Sequence, residues 1–255
     1  MQAQMTPVDF GPAATVTSPE GAPEVLVVCE HASNHIPAGL HGLGLSEEAQ
    51  LSHVAWDPGA LGVAEVLAVE MGAVLVAGTI SRLVYDCNRP PEAPSAVPER
   101  SEAYEIVGNQ NLSESERATR VTEVYRPFAK TVAEQITQYA TSLSLMVTIH
   151  SFTPVFHGRI RDVELGILHG QDARFAKAML QDLPAEAPYE TRLNEPYSAA
   201  DGVAHTLDVQ GAANGLLNVM IEIRNDLIAT TEAQRKMAAY LLAWINATRV
   251  AGEVA

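Results

Sequence analysis

Six short apolar runs alternate along the chain with stretches of helical period: Val25 to Glu30, Ala73 to Ala77, Leu83 to Asp86, Leu145 to His150, Val163 to His169 and Leu217 to Glu222. No other pattern in the sequence limits the fold as strongly. Near-continuous apolar strands separated by helices predict an α/β fold whose sheet is covered on both faces. Asp57 and Pro58 suit the start of a helix to Met71, where Gly72 stops it. Ser113-Glu114-Ser115-Glu116 is a capping-box pattern that opens a long helix to about Ala140, with a kink at Pro127. A last helix spans about Thr231 to Thr248. Between Pro90 and Leu112, four prolines mark a loop long enough to cover a functional site.

A chain of 255 residues, 47% apolar and 18% charged, has the composition of one soluble globular domain. We expect a single catalytic domain over residues 25–255 and a loose N-terminal arm over residues 1–24, which are rich in Pro, Gly, Ala and Thr. The most apolar window, residues 63–78, is broken by Glu65, Glu70 and Gly72, so no membrane span is expected. The first residues lack the basic and apolar regions of a secretory signal, which makes the cytoplasm the expected compartment. Two cysteines do not make a disulfide scaffold. A net charge of −15 repels phosphate backbones and anionic lipid, so nucleic acid is excluded as a partner. An anionic substrate would need a local cluster of arginines.

Ligands of open α/β sheets bind at the carboxyl ends of the strands. Here those ends are polar: Glu30-His31, Asp86-Cys87-Asn88-Arg89, His150-Ser151, and Glu222 with Arg224. Two histidines and a carboxylate form a common ligand set for catalytic Zn²⁺, and a further carboxylate can accept the proton of an activated water. His31 and His150 are the candidate nitrogen ligands, Glu222 the candidate base, and Arg82, Arg89 and Arg224 the candidate anion binders.

The order of YDCNRP, TIHSF and IEIRND along the chain resembles the N-formylglutamate amidohydrolases and, more distantly, zinc carboxypeptidases, succinylglutamate desuccinylases and aspartoacylases. The resemblance covers roughly residues 25–228. It implies a single-domain, three-layer αβα fold with a mixed, mostly parallel central sheet, of the zinc-exopeptidase and phosphorylase-hydrolase kind. It also implies metal binding by His31 and His150, a substrate carboxylate held by Asn88 and Arg89, and Glu222 as base. The cofactor would be Zn²⁺ or another divalent metal, and the substrate a small N-acyl amino acid, with N-formyl-L-glutamate as the named expectation.

Carboxypeptidase-like relatives carry a ligand Glu three residues after the first His, where this chain has Asn34. The third ligand is therefore open. Asp57 is the expectation, since the formylglutamate enzymes carry an Asp in this region, but helix capping would use the same side chain. Glu30 is the alternative, although strand alternation turns it away from His31. His35 could be a ligand or could pack before Pro37. Tyr197 and Ser198, with Asp201 and His205, lie in a polar stretch that resembles the family's substrate-binding loop and also suits ordinary turns. Rival readings are a Cys29 or Cys87 nucleophile, and a carboxylate-binding protein that keeps the fold without the catalysis.

Overall fold

The structure is a computed structural model that describes residues 8–183 and 186–251. Residues 1–7 of the expected N-terminal arm lie outside the described residues. Seven strands form one sheet: β1 (Ala14–Thr17), β2 (Val25–Cys29), β3 (Val74–Gly78), β4 (Leu145–Phe152), β5 (Leu165–Leu168), β6 (Thr191–Leu193) and β7 (Leu217–Arg224). Their order is β1-β3-β2-β4-β7-β5-β6. Strands β3, β2, β4 and β7 run parallel, β1 is antiparallel to β3, and β5 is antiparallel to β7. The sheet is thus mixed and mostly parallel. Every residue of β2, β3, β4 and β5 is buried, as expected of strands covered on both faces.

Helices α1 (Glu47–Leu51), α2 (Ala60–Met71), α3 (Glu114–Arg120), α4 (Arg126–Gln138), α5 (Arg174–Gln181) and α6 (Thr231–Ala251) complete the layers. Helix α2 buries Ala60, Val63, Ala64, Leu67 and Ala68, a stripe at helical spacing. It packs with α5 and α6 against one face of the sheet, over Val27, Ile149 and Ile221. Helix α4 covers the other face through Phe128, Val132 and Ile136, which join Leu26, Val28, Met146 and Met220. Burying each such side chain contributes about 1.5–3 kcal/mol.

Ser113 caps α3 with the expected reciprocal bonds to Glu116. The long helix then widens into a π-turn over Val121–Tyr125 before α4 begins. The cause is Pro127, which has no N–H to donate to the preceding turn and whose ring crowds it. The expected helix start at Asp57 moves to Ala60, because Gly59 takes the N-cap position with φ of 82°. A Cβ on Gly59 would lie 2.5 Å from the Ile228 carbonyl oxygen, so only glycine fits there. Asp57 is thereby released from capping.

Leu83–Asp86 is a turn, contrary to the expected strand. Its apolar residues are buried under the long loop, and its carbonyls are satisfied by side chains in place of a neighbouring strand. Asn109 Nδ2 donates to the Leu83 and Pro98 carbonyls, at 2.8 and 2.7 Å. Arg120 Nη1 donates to the Val84 carbonyl at 3.1 Å and to Asn109 Oδ1 at 2.6 Å. The Pro90–Leu112 loop contains a small hairpin, Arg100–Ser101 paired with Tyr104–Glu105. The covering loop is therefore pinned from beneath.

Candidate active site

The carboxyl ends of β2, β4 and β7, with the 81–89 turn, line a cleft of about 610 Å³. His150 and Glu222 are register partners on adjacent strands and continue the rows of Met146 and Met220. His31 follows the end of β2. The loop before α2 brings in Asp57, whose backbone N–H donates to the His31 carbonyl at 2.9 Å.

Three buried donor atoms converge there. His31 Nδ1 lies 3.3 Å from Asp57 Oδ2, His150 Nδ1 lies 3.0 Å from the same oxygen, and the two Nδ1 atoms are 3.2 Å apart. The outer ring nitrogens face carboxylates. His31 Nε2 is 2.8 Å from Asp86 Oδ1, and His150 Nε2 is 3.1 Å from Glu30 Oε2 at ion-pair distance, though off the direction of a hydrogen bond. A proton on each Nε2 then leaves both Nδ1 lone pairs aimed at Asp57 Oδ2. Three lone pairs pointing at one another need positive charge between them, supplied by a metal ion or, without one, by protons on the imidazoles. A tetrahedral ion with bonds of about 2.0–2.1 Å holds neighbouring ligand atoms about 3.4 Å apart, so the spacing fits. Carboxylates on the outer nitrogens are the usual support of metal-binding imidazoles. Among the described residues, His31, Asp57 and His150 form the one such cluster able to hold a metal ion.

The electrostatics follow from this crowding. Burial alone would raise Asp57, but His31, His150 and Arg82 hold it well below the usual carboxylate range. Asp86 is lowered in the same way by His31 and Arg82. Burial lowers His150, yet the Glu30 and Asp57 carboxylates more than offset it and push the imidazole well above its ordinary value. Glu222 goes the other way: burial pushes it up to about 7, with His150 pulling down and Asp57 pushing up. Its Oε2 has no hydrogen-bond partner within the protein.

The remaining candidates divide. Arg82 lines the cleft, but its guanidinium donates to Asp57 Oδ1 at 3.1 Å and Asp86 Oδ2 at 2.9 Å, so its charge is committed to the site's own carboxylates. Asn88 is committed too. Its Nδ2 donates to the Val203 carbonyl, and its Oδ1 accepts from Thr206 N at 2.9 Å. Arg89 lines the cleft and donates through Nη1 alone, to the Asn88 and Gly202 carbonyls. Tyr197 is on the wall; Ser198 is not, because its hydroxyl and N–H bond Asp201 in a local turn. Arg224 also stays off the wall, held by Glu164 at 3.1 Å and Asp226 at 2.8 Å. Asn34 donates to the Gln50 carbonyl and His35 is exposed, so neither joins the cluster. His205 pairs with Tyr125.

Asp86, Arg161, His53 and Glu102 also line the cleft wall; of these only Asp86, inside YDCNRP, stands in a motif that marks it in sequence. His53 Nε2 meets Glu102 Oε1 at 2.6 Å. Of the four arginines on the cleft wall, Arg82 and Arg100 have carboxylate partners, whereas Arg89 and Arg161 do not.

Residues 23–229 match the family model described as N-formylglutamate amidohydrolase. The chain belongs to that family. This N-formylglutamate amidohydrolase family member is similar to a gene product from Agrobacterium tumefaciens of known structure, with 50% identity, a TM-score of 0.91, and coverage of 94% of this chain and 96% of that one. It shares its fold with the N-formylglutamate amidohydrolase from Ralstonia eutropha, at 18% identity and a TM-score of 0.63, with coverage of 94% and 100%. No curated protein matches at a significant level. Membership places the chain among hydrolases of small molecules, and among the described residues no helix is long and apolar enough to cross a membrane.

Proposed function

We propose that the protein is a metal-dependent amidohydrolase that removes an N-formyl or N-acyl group from an acidic amino acid, with N-formyl-L-glutamate and water giving formate and L-glutamate. The observation that carries this reading is the convergence of His31 Nδ1, His150 Nδ1 and Asp57 Oδ2 beside a buried, proton-avid Glu222. These three residues would hold Zn²⁺ or another divalent ion with N/O preference, which when bound lowers the pKa of water and polarises the amide carbonyl.

The chain's own groups supply the rest. Glu222 accepts the proton of the attacking water and passes it to the amine nitrogen as the C–N bond breaks. A carboxylate raised to about 7 is suited to both halves of that transfer. Asp86 and Glu30 fix the two imidazoles through their outer nitrogens. Arg82 balances Asp57 and Asp86, Asn88 positions Arg89 by stapling its turn to Val203 and Thr206, and Arg89 and Tyr197 form the wall that orients substrate. Ser198 and Arg224 have no part in this scheme. The thiol rival is disfavoured, since burial first and neighbouring carboxylates second push both Cys29 and Cys87 well up, away from the thiolate.

The test is metal analysis of purified, metal-loaded wild type, His31→Ala and His150→Ala, with turnover on N-formyl and N-acetyl amino acids. One equivalent of ion in wild type, lost in both variants together with hydrolysis, is expected. Hydrolysis by protein freed of divalent ions would overturn the metal-dependent reading. Stoichiometric metal without turnover on any substrate would favour a binding protein.

A further inference from the structure

An acidic substrate entering this cleft meets an acidic site: Glu30, Asp57, Asp86 and Glu222 are all buried within it. The cations available to receive it are few. Arg82 is held by two aspartates, and Arg100 lies 3.4 Å from Glu105. Among the described residues lining the cleft, Arg89 and Arg161 are the guanidiniums with no carboxylate partner.

Arg161 is unusual in how it is held. It follows the small hairpin of Val155–Phe156 and Arg159–Ile160, and its Cζ sits 4.3 Å from the ring centre of Phe156, 4.8 Å from Tyr197 and 5.4 Å from Phe152. Phe152, Phe156 and Tyr197 are cleft residues as well. Its one hydrogen bond to protein from the guanidinium is a long one, Nη1 to the Thr153 carbonyl at 3.4 Å. Three rings thus surround the cation, and beyond the Thr153 carbonyl and the neighbouring Tyr197 its N–H groups have no polar partner in the protein. That is a pre-ordered fork, with the entropy of a long side chain already surrendered before any ligand arrives. Arg89 likewise uses Nη1 only, leaving its Nε–Nη2 edge for a second fork.

We infer that Arg161 is a specificity-determining residue that receives one carboxylate of a dicarboxylate substrate while Arg89 receives the other. The inference deepens the proposed function and rests on it for the acidic amino-acid class. It assigns the preference for a second carboxylate to one side chain, and gives Phe156 and Tyr197 the task of holding that side chain in place. A neutral side-chain amide in place of the second carboxylate would meet the same fork without charge assistance, a difference of roughly 10–100-fold in affinity.

The experiment uses metal-loaded wild type, Arg161→Met and Arg161→Lys. Calorimetric binding of L-glutamate and L-glutamine is measured beside kcat/KM on N-formyl-L-glutamate and N-formyl-L-glutamine. Wild type is expected to prefer the dicarboxylate in both measurements. Arg161→Met should bring that preference to within about 3-fold, with the glutamine ligands weakened far less than the glutamate ligands, and Arg161→Lys should recover part of it. Retained glutamine binding also certifies that the variant is folded. A dicarboxylate preference that survives in Arg161→Met, or is absent from wild type, overturns the inference. If glutamate binding depends on Arg161 but no N-acyl amino acid is hydrolysed, the proposed activity falls and the assignment of Arg161 stands. Hydrolysis with a preference indifferent to Arg161 has the opposite meaning.

Discussion

Glu222 and His150 face one another across the parallel pairing of β7 and β4, so that a buried carboxylate and a metal-competent imidazole are fixed by the same backbone register. Both are buried on the sheet face covered by α4 and the long loop. A one-residue slip of β7 would turn Glu222 into the opposite layer, among Ile149 and Ile167. The site therefore inherits its precision from the apolar core beneath it.

Replacing Glu222 with Gln keeps shape and removes the titration. Turnover should fall about 10²–10⁴-fold with metal content unchanged. Stability provides an independent check in metal-free protein. The folded-state value is raised from 4.5 to about 7, so the stabilisation tied to the bound proton is full below 4.5 and is lost as pH rises through 7. Gln mimics the protonated form at every pH. Urea midpoints of the two proteins should coincide near pH 4, and the variant should be the more stable at pH 8, by up to the order of 3 kcal/mol.

Arg82→Met separates a structural role from a substrate-binding one. Removing the guanidinium leaves Asp57 and Asp86 buried without their shared countercharge. The metal-free protein should lose about 3 kcal/mol by urea denaturation, and loading a divalent ion should recover part of it by restoring positive charge. A raised KM with an unmoved urea midpoint would instead make Arg82 a substrate contact.

The strands at Val25, Val74, Leu145 and Leu217 are legible because buried parallel strands have to be apolar on both faces, and few other segments share that demand. Leu83–Asp86 reads the same way, yet its apolar side chains are buried by a covering loop, a distinction carried by partners distant in sequence such as Asn109 and Arg120. The strand at Ala14–Thr17 is too short and too polar to announce itself. In the site, polar groups at strand ends mark His31, His150 and Glu222. Asp57 is ambiguous in sequence because capping and ligation use the same carboxylate, and Gly59 resolves it by taking the cap position. Arg89 and Arg224 look alike in one dimension; Glu164, brought in by the fold, occupies the latter.

Asn88 offers a sharper contrast between wall and staple. Its amide satisfies Val203 and Thr206 at once, so Asn88→Ala should cost about 2 kcal/mol and raise KM by loosening Arg89. Asn88→Asp should be worse than Ala, because it aims a buried negative charge at the Val203 carbonyl. Urea midpoints rank the three proteins. Wild-type stability in both variants would mean that the amide serves the ligand and not the fold.

Arg120 extends the same logic to a residue outside the cleft. It is buried, and besides Val84 and Asn109 it reaches the Gly108 carbonyl at 3.3 Å through Nη2. Burial first, with Arg117 second, lowers it to about 10, and among the described residues it has no carboxylate partner. The hydrogen bonds that hold its charge thus come from carbonyl and amide oxygens, all belonging to the segments that carry and cover Asp86. Arg120→Met strands those acceptors and should destabilise the protein by about 3 kcal/mol, while Arg120→Lys, lacking the fork, should fall between. Because Asp86 supports His31, both variants should also bind metal more weakly in competition with a chelator, in the same order. Loss of stability with metal affinity unchanged would show that the turn holding Asp86 does not depend on the buried guanidinium.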